Sequence, residues 1–357
     1  MTKIYVNGRF LGRAMTGVER FAHMALDRIN ARILRGDESR RWTLLLPPGV
    51  TAPESWRGFD VRTVGKGGGQ GWEQLHLARA ARDGVLLNLC NSGPVAPRRA
   101  LTIVHDALVY DMPGNFSTPY RLLHQTLGRA LARRLRIGTV SQFSRDRLST
   151  VLRVPAAAIP VVPNAADHID AVTPDTGIVD QLSLQPGRYL LFVGSFAPNK
   201  NLPRALEAFA RIAGPDDRLV LVGAAVKSFA QNGIGAVPPG VVLPGRISDE
   251  ALMGLYRSAR ALVFPSLYEG FGIPPLEAMR FGLPVVAGDI PPVREVCDDA
   301  ALYCDPLSVD SIAEAMRTML HDDARHADLA GRTAARNARY SWYGSATALL
   351  AALDTVG

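Results

Sequence analysis

Cysteine is scarce in this 357-residue chain, which holds only Cys90, Cys297 and Cys304. An odd number of cysteines without CxxC spacing argues against a disulfide framework and a zinc site, and it suits a reducing cytoplasm. No stretch approaches the length of about 18 apolar residues that a membrane-spanning helix needs, and the first residues lack the apolar block of a signal peptide. We therefore expect a cytoplasmic protein without a transmembrane helix.

Two nucleotide-binding motifs are also missing. The sequence contains no GxxxxGK[ST], which excludes a P-loop nucleoside triphosphatase. No GxGxxG follows the first predicted strand. A nicotinamide-dependent oxidoreductase is therefore disfavoured. No zinc-ligand pattern or aromatic RNA-binding motif accompanies the basic residues, so nucleic acid is not expected as a partner.

Acidic residues are rare in the first half of the chain. Residues 1–168 hold 24 Lys and Arg against 12 Asp and Glu, a net charge of +12, whereas residues 169–357 hold 16 against 21, a net charge of −5. This asymmetry is typical of a half that meets an anionic partner, such as a lipid surface or a phosphorylated acceptor. An ordinary basic solvated surface is the alternative.

Short apolar runs alternate with helical patterns throughout the chain, which predicts parallel sheets covered on both faces. Twelve runs are too many for one open sheet, so we predict two doubly wound α/β domains. The runs begin with 3–6, 43–46, 85–88, 101–104, 137–140 and 159–162 and continue with 189–193, 219–222, 241–243, 261–264, 284–287 and 301–303. We place the first domain at 1–168, a linker at 169–187 and the second domain at 188–339, and we expect the helix at 340–357 to return to the first domain.

A small-residue loop follows the strand at 189–193 and leads into a helix. Such a helix N-terminus attracts anions through its free N–H groups and its dipole. Lys200 lies just before the helix and could add a point charge to a diphosphate. An exposed lysine with no ligand is the alternative when this loop is considered alone.

Two glutamates follow the strand at 261–264. Glu269 lies in a glycine-containing loop, and we predict Glu277 in the first turn of the next helix. Both are expected at the carboxyl edge of the sheet, where open α/β folds bind ligands. Carboxylates accept hydrogen bonds from sugar hydroxyls, whereas a helix dipole alone could also account for Glu277.

The segment that carries these two glutamates resembles a motif of a known family. The segment 261–289 resembles the E-x7-E motif of family 4 retaining glycosyltransferases, which have the GT-B fold of two Rossmann-like domains facing across a cleft. Seven further segments match in the same order along nearly the whole chain. They are TGVER (16–20), IVHDALVY (103–110), TVSQFSRD with VVPNAAD (139–146 and 161–167), VGSFAPNKN (193–201), LPGRISDEAL (243–252) and PVVAGDIPPVREV (284–296).

The resemblance implies a role for each matching residue in binding a nucleotide-sugar donor. Glu269 is expected to contact hydroxyls of the transferred sugar, Glu277 the ribose, and Lys200 the departing diphosphate. His105 is expected near the reacting face of the sugar, although a structural histidine at a strand end is an alternative. The remaining donor-binding candidates are Gly17, Ser195, Arg246, Gly270, Phe271, Gly272 and Ile273, and the acceptor candidates are Glu19 and Arg20.

The chain departs from the family pattern around its diphosphate loop. Ser195 and Asn199 stand where many members carry arginine, so more of the diphosphate charge is expected to fall on Lys200, helix N-termini and Arg246. The resemblance also implies retention of anomeric configuration without an obvious protein nucleophile. Asp-x-Asp, the metal-holding motif of the other major transferase fold, is absent, so we expect neither a metal nor another cofactor.

The helix predicted at 118–135 is strongly basic. Leu123, Leu127, Leu131 and Leu135 form one stripe, with arginines on the other side. Two interpretations stay open: the leucines face a core, or the helix rests on an anionic membrane surface at the inner face of the cell membrane.

The function predicted from the resemblance is hexose transfer from a GDP- or UDP-linked donor, with mannose or a related sugar favoured. The acceptor would be a saccharide or a polyprenyl-diphosphate-linked saccharide in cell-surface polysaccharide synthesis. A sugar-nucleotide epimerase of similar architecture and a non-catalytic nucleotide-sugar-binding subunit are the alternatives.

Overall fold

Twelve parallel strands form two separate six-stranded sheets in the computed structural model, which describes residues 2–223 and 237–356. The chain divides into two units. The first consists of Met1–Asn164 with Ser341–Gly357, and the second is Ala165–Tyr340. Each unit has its own sheet covered by helices, as the alternation of strand and helix patterns predicts.

The strands of each unit follow one another with helical connections. In the first unit they are β1 Lys3–Asn7, β2 Arg41–Leu46, β3 Asp60–Thr63, β4 Val85–Asn88, β5 Ala100–Ile103 and β6 Arg136–Gly138. In the second they are β7 Tyr189–Val193, β8 Arg218–Val222, β9 Val241–Val242, β10 Ala261–Phe264, β11 Val285–Gly288 and β12 Ala301–Cys304.

The α-helices of the described residues cover both sheets. In the first unit they are α1 Gly17–Arg35, α2 Gly69–Trp72, α3 Ala78–Ala80, α4 Leu108–Asp111, α5 Thr118–Arg134, α6 Gln142–Leu152 and the C-terminal α14 Trp342–Asp354. In the second they are α7 Gly177–Gln181, α8 Leu202–Ile212, α9 Asp249–Ser258, α10 Ile273–Arg280, α11 Pro291–Cys297, α12 Val309–His321 and α13 Asp323–Asn337. A π-helical turn, Glu73–Leu77, joins α2 to α3.

Both sheets have the strand order of a Rossmann fold. The first runs β3-β2-β1-β4-β5-β6, and the second runs β12-β11-β10-β7-β8-β9, which is the same order seen from the other side. The order reverses between β1 and β4 in the first sheet and between β7 and β10 in the second. Ligands of such sheets bind beyond the carboxyl ends of the strands at these switch points, so these two places are where a site is expected.

The C-terminal helix α14 belongs to the first unit. It begins after Ser341, whose hydroxyl accepts the N–H of Gly344 at 3.1 Å as an N-cap, and it packs against α1. The hydroxyl of Ser345 donates to the carbonyl of Pro163 at 2.6 Å, and the ring of Trp342 lies 6.1 Å from that of Phe21. The last residues of the chain are thereby part of the core that supports the first sheet.

Two sequence predictions about the first sheet are wrong. Residues 159–162 form no strand, because Val161 makes only an isolated bridge with Thr139. The sixth strand is instead β3, whose four residues are all exposed. An edge strand with no buried face carries no apolar run, so the hydrophobic pattern did not reveal it.

The leucine stripe of α5 does not form a continuous core face. Only Leu131 of this helix is buried, and the side chain of Leu123 is 51% exposed. None of the helices in residues 2–223 and 237–356 is long and apolar enough to span a bilayer.

Candidate active site

The loops after β7 and β10 meet at the switch point of the second sheet. Lys200 ends the single 3-10 turn Pro198–Lys200 before α8, and Glu269 lies in the loop between β10 and α10. The Nζ atom of Lys200 is 2.7 Å from Oε1 of Glu269. Their side chains are 18% and 11% exposed, so each charge is largely shielded from water and is balanced by the other. The structure thus brings together two of the residues that the sequence singled out.

The ammonium of Lys200 has a second electrostatic contact. It lies 5.2 Å from the ring centroid of Phe264, the last residue of β10. A cation over an aromatic face is attracted by the ring quadrupole. The ring and the carboxylate together fix the position of the amine at the carboxyl edge of the sheet.

Two asparagines flanking Lys200 tie the two loops together, and the sequence analysis did not assign them this role. The amide of Asn199 donates to the carbonyl of Tyr268 at 3.1 Å, and its own carbonyl accepts the N–H of Leu267 at 2.8 Å. The amide of Asn201 donates to the carbonyls of Pro265 at 3.0 Å and Pro306 at 2.6 Å. Asn199 is therefore a structural clamp, which explains why this position does not carry an arginine directed at a ligand.

Asn201 also has an unusual backbone conformation. Its φ of 61° places it in the left-handed region at the N-cap of α8, where asparagine is one of the few tolerated residues. The sequence Asn-Leu-Pro could have predicted this N-cap. Pro203 marks the start of the helix, and Asn or Asp is common at the position before a helix.

The start of α10 lies beside the Glu269 loop. Gly272 precedes the helix with a φ of 122°, which residues with a Cβ rarely adopt, so glycine is required here. Ile273 is the first helical residue, and Phe271 is buried against Tyr340 with ring centroids 5.4 Å apart. Pro274 and Pro275 have no N–H group, so only the N–H groups of Gly272 and Ile273 are left without a partner within the helix. They lie at the same sheet edge as Glu269.

Glu277 is buried, with one side chain hydrogen-bonded to its carboxylate and a second facing it. The prediction that it lies in the first turn of its helix is wrong: α10 begins at Ile273, so Glu277 is one turn further in, and the first turn holds no acidic residue. The Tyr256 hydroxyl donates to its Oε2 at 3.1 Å, and Nε2 of His168 is 3.5 Å from its Oε1. Because the dipole effect fades beyond the first turn, it does not account for a carboxylate at this depth.

Two of the three remaining donor candidates of the second unit are at the surface. Ser195 and Arg246 are exposed, and Arg246 forms no ion pair with residues 165–223 or 237–340. An exposed guanidinium without an ion-pair partner can bind an anion, but no contact within the second unit fixes its orientation. Gly270, in contrast, immediately follows Glu269 in the loop.

In the first unit His105 is buried at the end of β5. Its Nε2 lies 2.9 Å from the carbonyl of Leu89, which can only accept, so Nε2 carries the proton and Nδ1 is the acceptor. Burial lowers the pKa of His105 to about 4, against the smaller raising effects of the Leu89 carbonyl and Glu19. The imidazole is therefore neutral at pH 7. Asn91, at a φ of 61°, accepts the backbone N–H of His105 at 2.7 Å.

The start of α1 contains a variant of a capping box. Thr16 is the N-cap and accepts the N–H of Val18 at 3.3 Å, and its hydroxyl donates to the Glu19 carboxylate three residues later. Arg13 approaches the same carboxylate at 3.6 Å. Glu19 is 6% exposed, so within this unit it stabilises the helix start. Gly17 is exposed and Arg20 half-buried.

A buried polar network occupies the switch point of the first sheet, and the sequence analysis missed it. Glu73, on the π-helical turn, accepts from the amide of Asn7 at 2.9 Å and from the guanidinium of Arg9 at 3.0 Å. The Asn7 amide also donates to Asn88 at 3.0 Å, and Ser92 donates to Glu73 at 3.1 Å. Asn7 and Asn88 end β1 and β4, so this network joins the two strands where the order reverses.

No group of three or more His, Cys, Asp and Glu side chains is placed to hold a metal ion within the part of the chain that the structure describes. The expectation of a metal-independent reaction stays a prediction. The three cysteines are free thiols, with Cys297 and Cys304 buried and Cys90 partly buried.

Sequence comparison identifies the family. The model of the family "Glycosyl transferases group 1" matches residues 179–336. O-antigen chain mannosyltransferase B of Escherichia coli is 30% identical over 255 residues, which are 68% of this chain and 67% of that protein. The serotype-specific mannosyltransferase WbdA of E. coli is 27% identical over 58% of this chain and 26% of its own length. A GDP-mannose-dependent alpha-(1-6)-phosphatidylinositol dimannoside mannosyltransferase of Mycobacterium tuberculosis is 30% identical over 47% of this chain and 44% of its own length.

The chain therefore spans about two thirds of the first relative, about a quarter of the second and under half of the third. Among solved structures, HepE of Anabaena in complex with UDP-glucose superposes with a TM-score of 0.73 at 17% identity over the full length of both chains. That likeness shows the fold and confirms the GT-B architecture. The sequence relationships show more: this chain is a member of the group 1 glycosyl transferases, as the resemblance of its motifs predicted.

Proposed function

We propose that this protein transfers mannose, or a closely related hexose, from a GDP-linked donor to a saccharide acceptor, with retention of anomeric configuration. The observation that carries the proposal is the Lys200–Glu269 pair, at 2.7 Å, where the order of the second sheet reverses. The named relatives, all mannosyltransferases, favour mannose, and one of them is named GDP-mannose-dependent. They also favour transfer over the epimerase alternative.

The pair suits a donor because a nucleotide sugar offers a replacement partner to each member. The diphosphate is an anion for Lys200, and the sugar carries hydroxyls that donate to Glu269. Both side chains are already positioned and largely desolvated, so binding exchanges one set of charge-assisted contacts for another. As the sugar departs, negative charge grows on the diphosphate, and Lys200 stabilises it in the transition state.

Glu277 is proposed to hold the ribose of the nucleotide. Its carboxylate is fixed by Tyr256 and faced by His168, and a carboxylate that is held in one orientation can accept two hydroxyl donors from a vicinal diol. Asp170, on the turn that carries His168, forms a bidentate ion pair with Arg280 of α10. This pair holds the turn against the helix that bears Glu277.

The N–H groups near Phe271, Gly272 and Ile273 are proposed to line the sugar and diphosphate, with Gly270 allowing a close approach. Ser195 and Arg246 would add contacts from the surface. In the first unit, the neutral Nδ1 of His105 can accept a hydroxyl of the transferred sugar, and the start of α1 at Gly17 would approach the donor. Arg20 and Glu19 are the acceptor candidates, with Glu19 already engaged by Thr16 and Arg13.

The direct experiment is product analysis. Purified protein is incubated with GDP-[13C]mannose and α-linked mannobiose, and the anomeric carbon of the product is observed by NMR. An α-mannoside product supports retaining mannosyl transfer. A β-linked product, or consumption of the donor to free epimerised nucleotide sugar, contradicts it.

A membrane-surface location is a second proposal, supported by helix α5. Leu122 and Leu123 are 55% and 51% exposed, and Arg133 and Arg134 are exposed toward the end of the same helix. Exposed apolar side chains flanked by arginines are typical of helices that rest on anionic lipid. Such a location would suit a lipid-linked saccharide acceptor.

Sedimentation with vesicles tests this location. We expect the protein to sediment with phosphatidylglycerol vesicles at low salt, and the double variant Arg133→Glu/Arg134→Glu to lose this binding. Arg79→Glu/Arg82→Glu makes the same charge change elsewhere on the first unit and is expected to retain most of it. Equal loss in both variants would mean that net charge, and not α5, is responsible.

A further inference from the structure

A cavity of about 230 Å3 opens in the first unit beside His105. Its walls come from α4, α5 and α6, and Asp106, which follows His105 beyond the carboxyl end of β5, also lines it. Asn91, the residue that anchors the backbone of His105, lines the same cavity. The cavity is thus adjacent to a residue proposed to contact the transferred sugar.

One wall of the cavity is a ladder of three aromatic rings at intervals of four residues. Phe116 and Tyr120 are stacked with centroids 5.3 Å apart and an interplanar angle of 9°. Tyr120 and His124 are stacked at 4.0 Å and 30°. Tyr120 and His124 are about one helical turn apart on α5. Phe116 lies two residues before this helix begins, in extended backbone, and Tyr120 is 46% exposed.

Polar and charged groups lie beside the apolar side chains of this cavity. The Asp106 carboxylate accepts the N–H of Leu108 at 2.8 Å and is close enough to raise the pKa of Tyr120, together with the larger effect of burial. Burial lowers the pKa of His124, and the charges of Arg9 and Arg13 lower it further. The charge of Arg13 also opposes the rise in the pKa of Tyr120. His124 is therefore neutral at pH 7, and its ring is suited to stacking.

This combination fits a sugar ring better than a lipid chain. A pyranose has an apolar C–H face for an aromatic ring and an edge of hydroxyls that donate to carboxylates and amides. An acyl or prenyl chain would desolvate Asp106 and give it no hydrogen bond in return, which is costly. The volume is below the about 300–1,000 Å3 of most small-molecule pockets, so it suits one ring and not an extended oligosaccharide.

The shape of the cavity is fixed by a close approach on its inner side. A Cβ added to Gly128 would lie 2.5 Å from the hydroxyl of Tyr110. This hydroxyl donates to the carbonyl of Gln125 at 3.2 Å, and the Gln125 amide donates to the carbonyl of Val109 at 2.9 Å. Glycine at 128 thereby lets α5 lie against α4, and the cavity is pre-formed in the protein without ligand.

We propose that the aromatic ladder Phe116–Tyr120–His124, with Asp106 at its end, binds one hexopyranose ring of the saccharide acceptor. The inference rests on the proposed glycosyl transfer for the identity of the ligand, and on the cavity for its position. Because Phe116 and His124 cover the two faces of Tyr120, the hexose would stack on an outer ring of the ladder. Tyr120 would hold that ring in place, so that an acceptor hydroxyl is presented next to His105.

Two variants separate this site from the rest of α5. Tyr120→Ala removes the central ring, and because the side chain is nearly half exposed, the fold should tolerate it. Tyr120→Phe keeps the ring. Thr126→Ala is the matched control, since Thr126 is also exposed on α5 but lies about 240° around the helix from Tyr120 and does not line the cavity.

Binding of methyl α-mannoside and α-linked mannobiose to the full chain is measured by saturation-transfer NMR, and the KM for mannobiose is measured with GDP-mannose. We expect Tyr120→Ala to lose saturation transfer and to raise the KM about tenfold, as the loss of one aromatic contact predicts. In Tyr120→Phe and Thr126→Ala, the saturation transfer and the KM should stay within about twofold of the wild-type values. GDP affinity, measured by calorimetry, should be equal in all four proteins.

Wild-type saturation transfer and KM in Tyr120→Ala would overturn the assignment. So would loss of phosphatidylglycerol vesicle binding in that variant with saccharide binding unchanged, because the ladder would then bind lipid. A failure of the proposed function would look different, because the wild-type protein would then bind neither GDP nor GDP-mannose. The proposal for the ladder is decided by the binding of the two saccharides alone.

Discussion

Lys200 and Glu269 form an ion pair of 2.7 Å, although 69 residues separate them in the chain. They meet because β7 and β10 are neighbours at the point where the second sheet reverses its order. Asn199 and Asn201, on either side of the lysine, bind carbonyls of the loop that carries the glutamate. The pair is therefore pre-organised by backbone contacts and does not depend on its own Coulomb attraction for its geometry.

Replacing Glu269 should separate nucleotide binding from transfer. In Glu269→Gln the ammonium of Lys200 loses its counter-charge, so GDP should bind as tightly as before or more tightly. Transfer from GDP-mannose should fall about 100-fold, because the amide is a weaker acceptor for sugar hydroxyls. Calorimetry with GDP and a transfer assay measure the two effects. Glu207→Gln, an exposed glutamate of the same unit paired with Arg211, is the control and should change neither.

Removing Lys200 should have the opposite effect on the nucleotide. Lys200→Ala deletes the cation and leaves Glu269 unpaired next to the diphosphate, so GDP affinity should fall at least about tenfold, consistent with the loss of one charge-assisted contact. Lys66→Ala removes an exposed lysine of the first unit and should leave the affinity unchanged. Equal GDP affinity in Lys200→Ala and the unchanged protein would remove Lys200 from the diphosphate site.

Much of this arrangement was predictable from the sequence, and the exceptions have physical reasons. The apolar runs located eleven of the twelve strands because their side chains are buried, whereas β3 is exposed on every residue and left no hydrophobic signal. Lys200 and Glu269 were found through their loops. Asn199 and Asn201 were not assigned their role, because a buried amide that binds backbone carbonyls has no sequence pattern of its own.

The network around Glu73 was missed for a related reason. Its members come from β1, the π-helical turn and β4, and only the pairing of these strands brings them together. The leucine stripe of α5 gave a misleading signal, since its period predicts an apolar face but does not determine how much of that face a neighbour covers. Leu123 remains half exposed for this reason.

Tyr256 should matter for both stability and ribose binding. Tyr256→Phe removes the donor to the buried Glu277 carboxylate, which should lower the free energy of unfolding by about 1–3 kcal/mol and weaken nucleoside diphosphate binding several-fold. Urea unfolding and calorimetry measure these changes. Tyr303→Phe is the matched control, because its hydroxyl donates to the carbonyl of Asp298 at 2.7 Å outside the proposed site, and it should leave nucleotide affinity intact.

His105 should make stability depend on pH. Its folded-state pKa of about 4 lies below the value of 6.5 expected in the unfolded chain, so the unfolded state binds more protons between these values. Stability should therefore fall as the pH drops from 6.5 to 4, by about 3 kcal/mol from this group, and level off below. The free energy of unfolding, measured with urea across this window, should depend less steeply on pH in His105→Asn than in the wild type. The control His321→Asn, at an exposed histidine, should keep the pH dependence of the wild type. An equally steep pH dependence in His105→Asn would contradict the assignment.

Transfer should continue without divalent metal. Lys200 and the N–H groups at the start of α10 are proposed to supply the positive charge that a diphosphate requires. We expect full activity after treatment with EDTA followed by removal of the chelator. Loss of activity that manganese or magnesium restores would show that a metal takes this role.

The central claim is that the carboxyl edge of the second sheet binds an activated mannose. Calorimetric titration of the unchanged protein and of Lys200→Ala with GDP-mannose, UDP-glucose and GDP tests it most directly. The account predicts that GDP-mannose binds more tightly than UDP-glucose and that the Lys200→Ala variant binds GDP-mannose and GDP more weakly by a similar factor. Absence of binding by GDP-mannose, or equal affinities of the two proteins for GDP-mannose and GDP, would contradict it.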